Sequence, residues 1–79
     1  MRQEVQDLAN SLTGLGYIVV LNKDETLFAR NRHKKIIFTM DKAPSDAADV
    51  ATSGQGAIED VQKALLAVDI EIDSMKKVA

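Results

Sequence analysis

The chain has no cysteine, no tryptophan, one histidine and one proline among its 79 residues. Without cysteine there is no disulfide framework, no thiolate metal site and no cysteine nucleophile. A single histidine, His33, excludes a histidine-rich metal cluster and leaves one imidazole for acid–base work. The longest apolar run is Tyr17 to Leu21, far short of the roughly 20 residues a membrane-spanning helix requires. No apolar stretch follows Met1-Arg2-Gln3-Glu4, so the start does not read as a signal peptide, and a cytoplasmic location is expected.

What is present is an ordinary globular mixture, 46% hydrophobic and 28% charged, which excludes a disordered chain. Residues 1–79 make one domain. A domain of this size buries only about 60% of its unfolded surface. The net charge of −2 conceals an asymmetry: residues 1–40 carry six basic against four acidic residues, and residues 41–79 carry four against eight. Arg30, Arg32, Lys34 and Lys35 form a basic cluster, while Glu59, Asp60, Asp69, Glu71 and Asp73 lie late in the chain. This balance excludes both a strongly basic nucleic-acid binder and a strongly acidic nucleic-acid mimic.

Residues 2–14 have the pattern of an amphipathic helix, with Val5, Leu8, Ala9 and Leu12 on one side. Gly14 is its expected left-handed cap. Tyr17–Leu21, Thr26–Arg30 and Lys35–Met40 read as strands, joined through Asn22–Glu25 and Asn31–Lys34 by turns short enough to make antiparallel hairpins. Pro44 ends the sheet, and Ser45 caps a short helix over Asp46–Ala51. Pro44, Gly54, Gly56 and several small residues make 43–56 the expected mobile segment. A long helix then begins at Ala57. Ile58, Val61, Leu65, Val68, Ile72 and Met75 repeat at three and four, which is a heptad seam. Val68, Ile70 and Ile72 also alternate with Asp69, Glu71 and Asp73 as a strand would. Helix is preferred there because no glycine or proline interrupts the segment.

The expected fold is α+β: helix–strand–strand–strand–helix, a three-stranded antiparallel meander with both helices on one face. Tyr17, Val19, Leu21, Leu27, Ala29, Ile36, Phe38 and Met40 fall on the core face. Ile18, Val20, Phe28 and Ile37 fall on the other, among Thr26, Arg30, Lys35 and Thr39.

Chemistry is sparse. Gly54-Gln55-Gly56 precedes a helix whose start holds Glu59 and Asp60, which repel phosphate. Asp41, Asp46 and Asp49 lack the spacing of a calcium loop and read as solvated acids. His33 sits between Arg32 and Lys34 at a hairpin tip, with no nucleophile motif beside it. No catalytic residue, metal site or cofactor is assigned, and the chain is not expected to be an enzyme. The helix–strand–strand–strand–helix order resembles double-stranded RNA-binding domains and HicA-type mRNA-cutting toxins. The first family needs a lysine-rich second helix start, where this chain has Gly56, Glu59 and Asp60. The second carries its histidine where this chain has Thr26-Leu27-Phe28. No residue is carried over from either.

Two functions from different classes follow. The first is a non-enzymatic protein-binding module, a small regulator, adaptor or inhibitor, with phage-encoded inhibitors such as anti-CRISPR proteins as an analogy of size alone. The alternative is an RNA- or DNA-binding domain that uses the hairpin residues Arg30, Arg32, Lys34 and Lys35. It is disfavoured by the net charge and by the lack of an aromatic within 31–35 to stack a base. Self-association is also expected. A helix reaching Met75 outruns strands about 17 Å long, leaving Ile72 and Met75 bare. With Ile18, Val20, Phe28 and Ile37 uncovered as well, a homodimer using either surface is expected.

Overall fold

The computed structural model describes residues 3–40 and 47–78. The elements run α1 (Gln3–Gly14), β1 (Ile18–Leu21), β2 (Thr26–Asn31), β3 (Lys34–Thr39), β4 (Ala48–Ser53), α2 (Ala57–Leu65) and β5 (Ile72–Lys77). The fold is α+β, and its sheet has five strands in the order β1-β2-β3-β4-β5. The meander β1–β2–β3 is present with both hairpins, and β4 extends it antiparallel along β3. β5 then pairs parallel to β4, with a register irregularity at Ala48/Asp49.

Three expectations are corrected. The described part of the expected 46–51 helix is strand β4, in which Ala48, Val50 and Thr52 alternate inward; Ser45 and Asp46 lie outside the described residues. The expected mobile segment 43–56 therefore contains an inner strand. The long second helix stops at Leu65, and Ile72 and Met75 lie in β5, half-buried against the core. The physical reason lies in β4: its outer backbone groups need partners, and a parallel strand reaches them only through a crossover helix. α2 supplies that crossover and is no longer than it needs to be. Ala48 N–H donates to the Glu71 carbonyl at 2.8 Å, Val78 N–H to the Thr52 carbonyl at 2.6 Å, and the Thr52 hydroxyl to the Lys76 carbonyl at 3.3 Å, which fastens β5 at both ends.

α1 ends at Gly14 as expected, but its left-handed cap lies two residues later. Gly16 (φ 95°), and not Gly14, is the left-handed residue. Tyr17 N–H reaches back to the Leu12 carbonyl at 3.1 Å and Gly16 N–H to that of Thr13 at 3.0 Å, the Schellman pattern. It turns the chain so that Leu12 and Tyr17 are both buried.

Both helices pack on one side of the sheet and against each other. Between them and the sheet lie Val5, Leu8 and Leu12 of α1, Leu27, Ile36 and Phe38 of the meander, Val50 of β4 and Val61 of α2. Burying each such side chain is worth roughly 1.5–3 kcal/mol. The core-face assignment of Tyr17, Leu27, Ala29, Ile36, Phe38 and Met40 agrees with their burial. Val19 and Leu21, on the outermost strand, are half-buried.

Candidate functional site

Among the described residues, no element covers the sheet face opposite the helices. Strand pairing aligns its side chains in rows across the strands. One row runs Val20, Phe28, Ile37, Ala51, Lys76. A second runs Ile18, Arg30, Lys35, Ser53, and a third Thr26, Thr39, Asp49, Ser74. Ile18, Val20 and Phe28 are 61%, 52% and 43% exposed, far above the level of core residues on the same strands. Together with Arg30, Lys35 and Ile37 they line a shallow depression of about 340 Å³. A second depression of similar size adjoins it at the strand ends, between Gly16, Ile18, Arg30 and Arg32. Toward β5 the face is polar: Ser74 Oγ donates to Asp49 Oδ1 at 2.8 Å.

The basic hairpin stretch is divided between the two sides of the sheet. Arg30 and Lys35 face each other across β2 and β3 on the open side. Arg32 and His33 occupy the tip and are exposed, with Arg32 at φ 20°. Lys34 points the other way, toward the helices. Its Nζ lies 2.9 Å from Asp60 Oδ2 and passes over Gly56 at the start of α2. The same carboxylate oxygen accepts the Tyr17 hydroxyl at 2.6 Å. Asp60 thereby ties the entry of β1, the start of β3 and the first turn of α2 into one cluster.

The cluster's titration reflects its geometry. Burial pushes the Tyr17 phenol well above its ordinary range, and the hydrogen bond to Asp60 and the carboxylate's charge push the same way. Burial alone raises the Asp60 carboxyl. The hydrogen bonds from Tyr17 and Lys34 and the charges of Lys34 and Lys63 outweigh it and hold the carboxyl below the usual carboxylate range. A phenol locked neutral and a carboxylate locked charged are poor proton carriers at neutral pH, so the arrangement is suited to bracing.

Of the expected interface residues, Ile18, Val20, Phe28 and Ile37 share the open face, joined there by Arg30 and Lys35. Ile72 and Met75 are elsewhere, in β5 against the core. Two features were missed: the Tyr17–Asp60–Lys34 cluster, and the widening of the open face by Asp49, Ala51, Ser74 and Lys76. A signal for the first was present. Lys34 has the same strand parity as Ile36 and Phe38, which places it on the core side.

Among the described residues, no three histidine or acidic side chains are grouped so as to hold a metal ion. No helix among them is long and apolar enough to cross a membrane. No protein-family model, curated protein or solved structure matches the chain.

Proposed function

We propose that this chain is a small non-enzymatic protein-binding module, a cytoplasmic regulator, adaptor or inhibitor, that docks its partner on the open face of the sheet. The observation that carries the reading is the uncovered apolar row Val20–Phe28–Ile37, widened by Ile18 and bordered by Arg30 and Lys35. An apolar patch rimmed by charge, on a sheet braced from behind by two helices, has the anatomy of an interface core and rim. The complementary partner surface is apolar and edged with carboxylates, since Arg30 and Lys35 leave the rim positive. Self-association belongs to the same reading.

A second reading is favoured by one observation. Phe28 stands on the open face two residues before Arg30 and one strand from Lys35, so an aromatic ring and two cations do share a surface. That is the combination by which single-stranded nucleic acid is held, bases on the ring and phosphates on the cations. Fluorescence anisotropy with a labelled single-stranded RNA of about 12 nucleotides, in about 50 mM salt, separates the two readings. Under the protein-binding reading there is no saturable binding at tens of micromolar. Binding that is lost in both Phe28→Ala and Arg30→Glu transfers the site to nucleic acid.

A further inference from the structure

The outer edge of β1 is the feature the open-face reading does not use. Asn22 N–H donates to the Thr26 carbonyl at 2.9 Å, which makes Asn22 and Thr26 a hydrogen-bonded pair of the β1–β2 hairpin. The register then sets the parity of the strand: Val20 and Ile18 bond inward to Phe28 and Arg30. Val19 and Leu21 therefore direct their N–H and C=O groups away from the sheet, and no described residue takes them up.

The two edges of the sheet are treated differently. β5 carries Asp73, Lys76 and Lys77, the charged side chains with which proteins ordinarily guard an edge. β1 is Ile-Val-Val-Leu, with no charge, no proline and no bulge. Unguarded edges invite another strand, and this edge is self-complementary. We propose that β1 pairs antiparallel with β1 of a second copy of this chain, about a two-fold axis passing beside Val20. Val19 then lies opposite Leu21 of the partner subunit, and Leu21 opposite the partner's Val19. Each pair exchanges two backbone hydrogen bonds, so all four outward groups on each copy are satisfied.

Side chains and charge fit the same register. Val20 meets the partner's Val20 at a non-hydrogen-bonded position, where side chains approach most closely. The apolar row Val20–Phe28–Ile37 then continues without a break into the second copy. The pairing also brings the β1–β2 turn of one copy, with exposed Asp24, alongside Gly16 of the other. There the depression lined by Arg30 and Arg32 begins. The exposed Asp24 carboxylate thus meets a net positive recess, twice by symmetry. A four-residue edge falls short of the roughly 800 Å² per partner of a standard interface. The dimer is accordingly of micromolar affinity.

Because the chain contains no cysteine, single cysteines report the geometry directly. Opposed residues at a non-hydrogen-bonded position have Cα atoms about 4.5 Å apart, within the range a disulfide spans. In the full chain at about 100 µM under mild oxidation, Val20→Cys is expected to form a covalent dimer at least ten times faster than Ile18→Cys. Ile18 is the more exposed residue, yet it lies about 13 Å from its own counterpart in this register. Phe28→Cys is expected to be as slow as Ile18→Cys. Three results overturn the proposal: equal rates for Val20→Cys and Ile18→Cys, fastest cross-linking by Phe28→Cys (copies meeting face to face), or a wild-type monomer by sedimentation at about 200 µM. The open-face reading fails by a different measurement, the anisotropy titration above, so the two can fall separately.

Discussion

Replacing Asp60 with alanine tests the bracing cluster most directly. The substitution removes the common acceptor of two donors, the Tyr17 hydroxyl at 2.6 Å and the Lys34 ammonium at 2.9 Å. The two losses differ in kind. Tyr17 is 3% exposed, so its hydroxyl is left without water, at a cost of about 1–3 kcal/mol. The Lys34 side chain is 32% exposed and regains solvent, so the lost ion pair costs about 0.2–1 kcal/mol. The gain in helix propensity from alanine is offset by the loss of a favourable charge in the first turn of α2. The expected destabilisation is about 2–3 kcal/mol, a large part of the total for a domain this small. At about 4–8 °C per kcal/mol, Tm falls on the order of 10–20 °C. Urea titration followed by far-UV circular dichroism measures it. Tyr17→Phe alone is expected to cost less, because Asp60 keeps Lys34, and adding it to Asp60→Ala costs little more, because the hydroxyl is already orphaned. The pH dependence has a definite sign. The folded carboxyl lies below its unfolded value. Its stabilisation is therefore complete above the ordinary carboxylate range and is lost as pH falls through that range toward the folded value. The gap between wild type and Asp60→Ala should narrow below about pH 4. A gap under about 0.5 kcal/mol at neutral pH, or one unchanged down to about pH 3, refutes the bracing role.

Three further outcomes follow from the geometry. Gly16 (φ 95°) and Gly54 (φ 100°) both hold left-handed backbone, but a Cβ on Gly16 finds its nearest neighbour at 3.8 Å, whereas one on Gly54 collides with the His33 carbonyl. Gly16→Ala is expected to cost about 1–2 kcal/mol in chemical denaturation and Gly54→Ala clearly more, equal costs being the contrary result. In amide exchange, inward-facing β4 residues such as Val50 should be protected as well as Ile36 and Phe38 of β3; rapid exchange across 48–53 contradicts an inner strand. Ile72→Asp should lower monomer stability by about 1–3 kcal/mol, since Ile72 is packed in β5, and an unchanged midpoint would place it outside the core.

The meander was legible because its signals agree. β-branched runs, two short turns and an alternation that separates Leu27, Ala29, Ile36 and Phe38 from Phe28, Arg30, Lys35 and Ile37 all agree on three strands and two hairpins, while the cross-strand register comes from the structure alone. β4 was hidden by its composition. Ala48, Asp49 and Ala51 have poor strand propensity and leave Val50 the lone strand former among them; the small Ala48 stands in that part of the sheet where α2 packs on β4. β5 was hidden by coincidence: a three–four spacing from Ile58 to Met75 mimics a helix seam, although Val68, Ile70 and Ile72 alternate as well. Only the unpaired outer side of β4 decides between the two patterns, and a strand that has not been recognised offers no edge to pair.

The same dependence governs the site. The patch Ile18, Val20, Phe28 and Ile37 could be read from parity alone, because it lies within the meander. Its electrostatic frame could not. Grouping Arg30, Arg32, Lys34 and Lys35 by proximity along the chain suggests one basic tip, but alternation sends Lys34 to the core side, where Asp60 neutralises it 26 residues later in sequence. What remains on the open side is Arg30 and Lys35, with Lys76 and Asp49 contributed by strands that were not foreseen. A net charge of −2 therefore says little about what this face attracts. Arg30, Lys35 and Lys76 outnumber Asp49 there, and Asp49 already accepts the Ser74 hydroxyl. Under the proposed protein-binding role that local excess favours an acid-rimmed apolar partner, and the proposed pairing along the apolar edge of β1 beside it draws first on unpaired backbone groups.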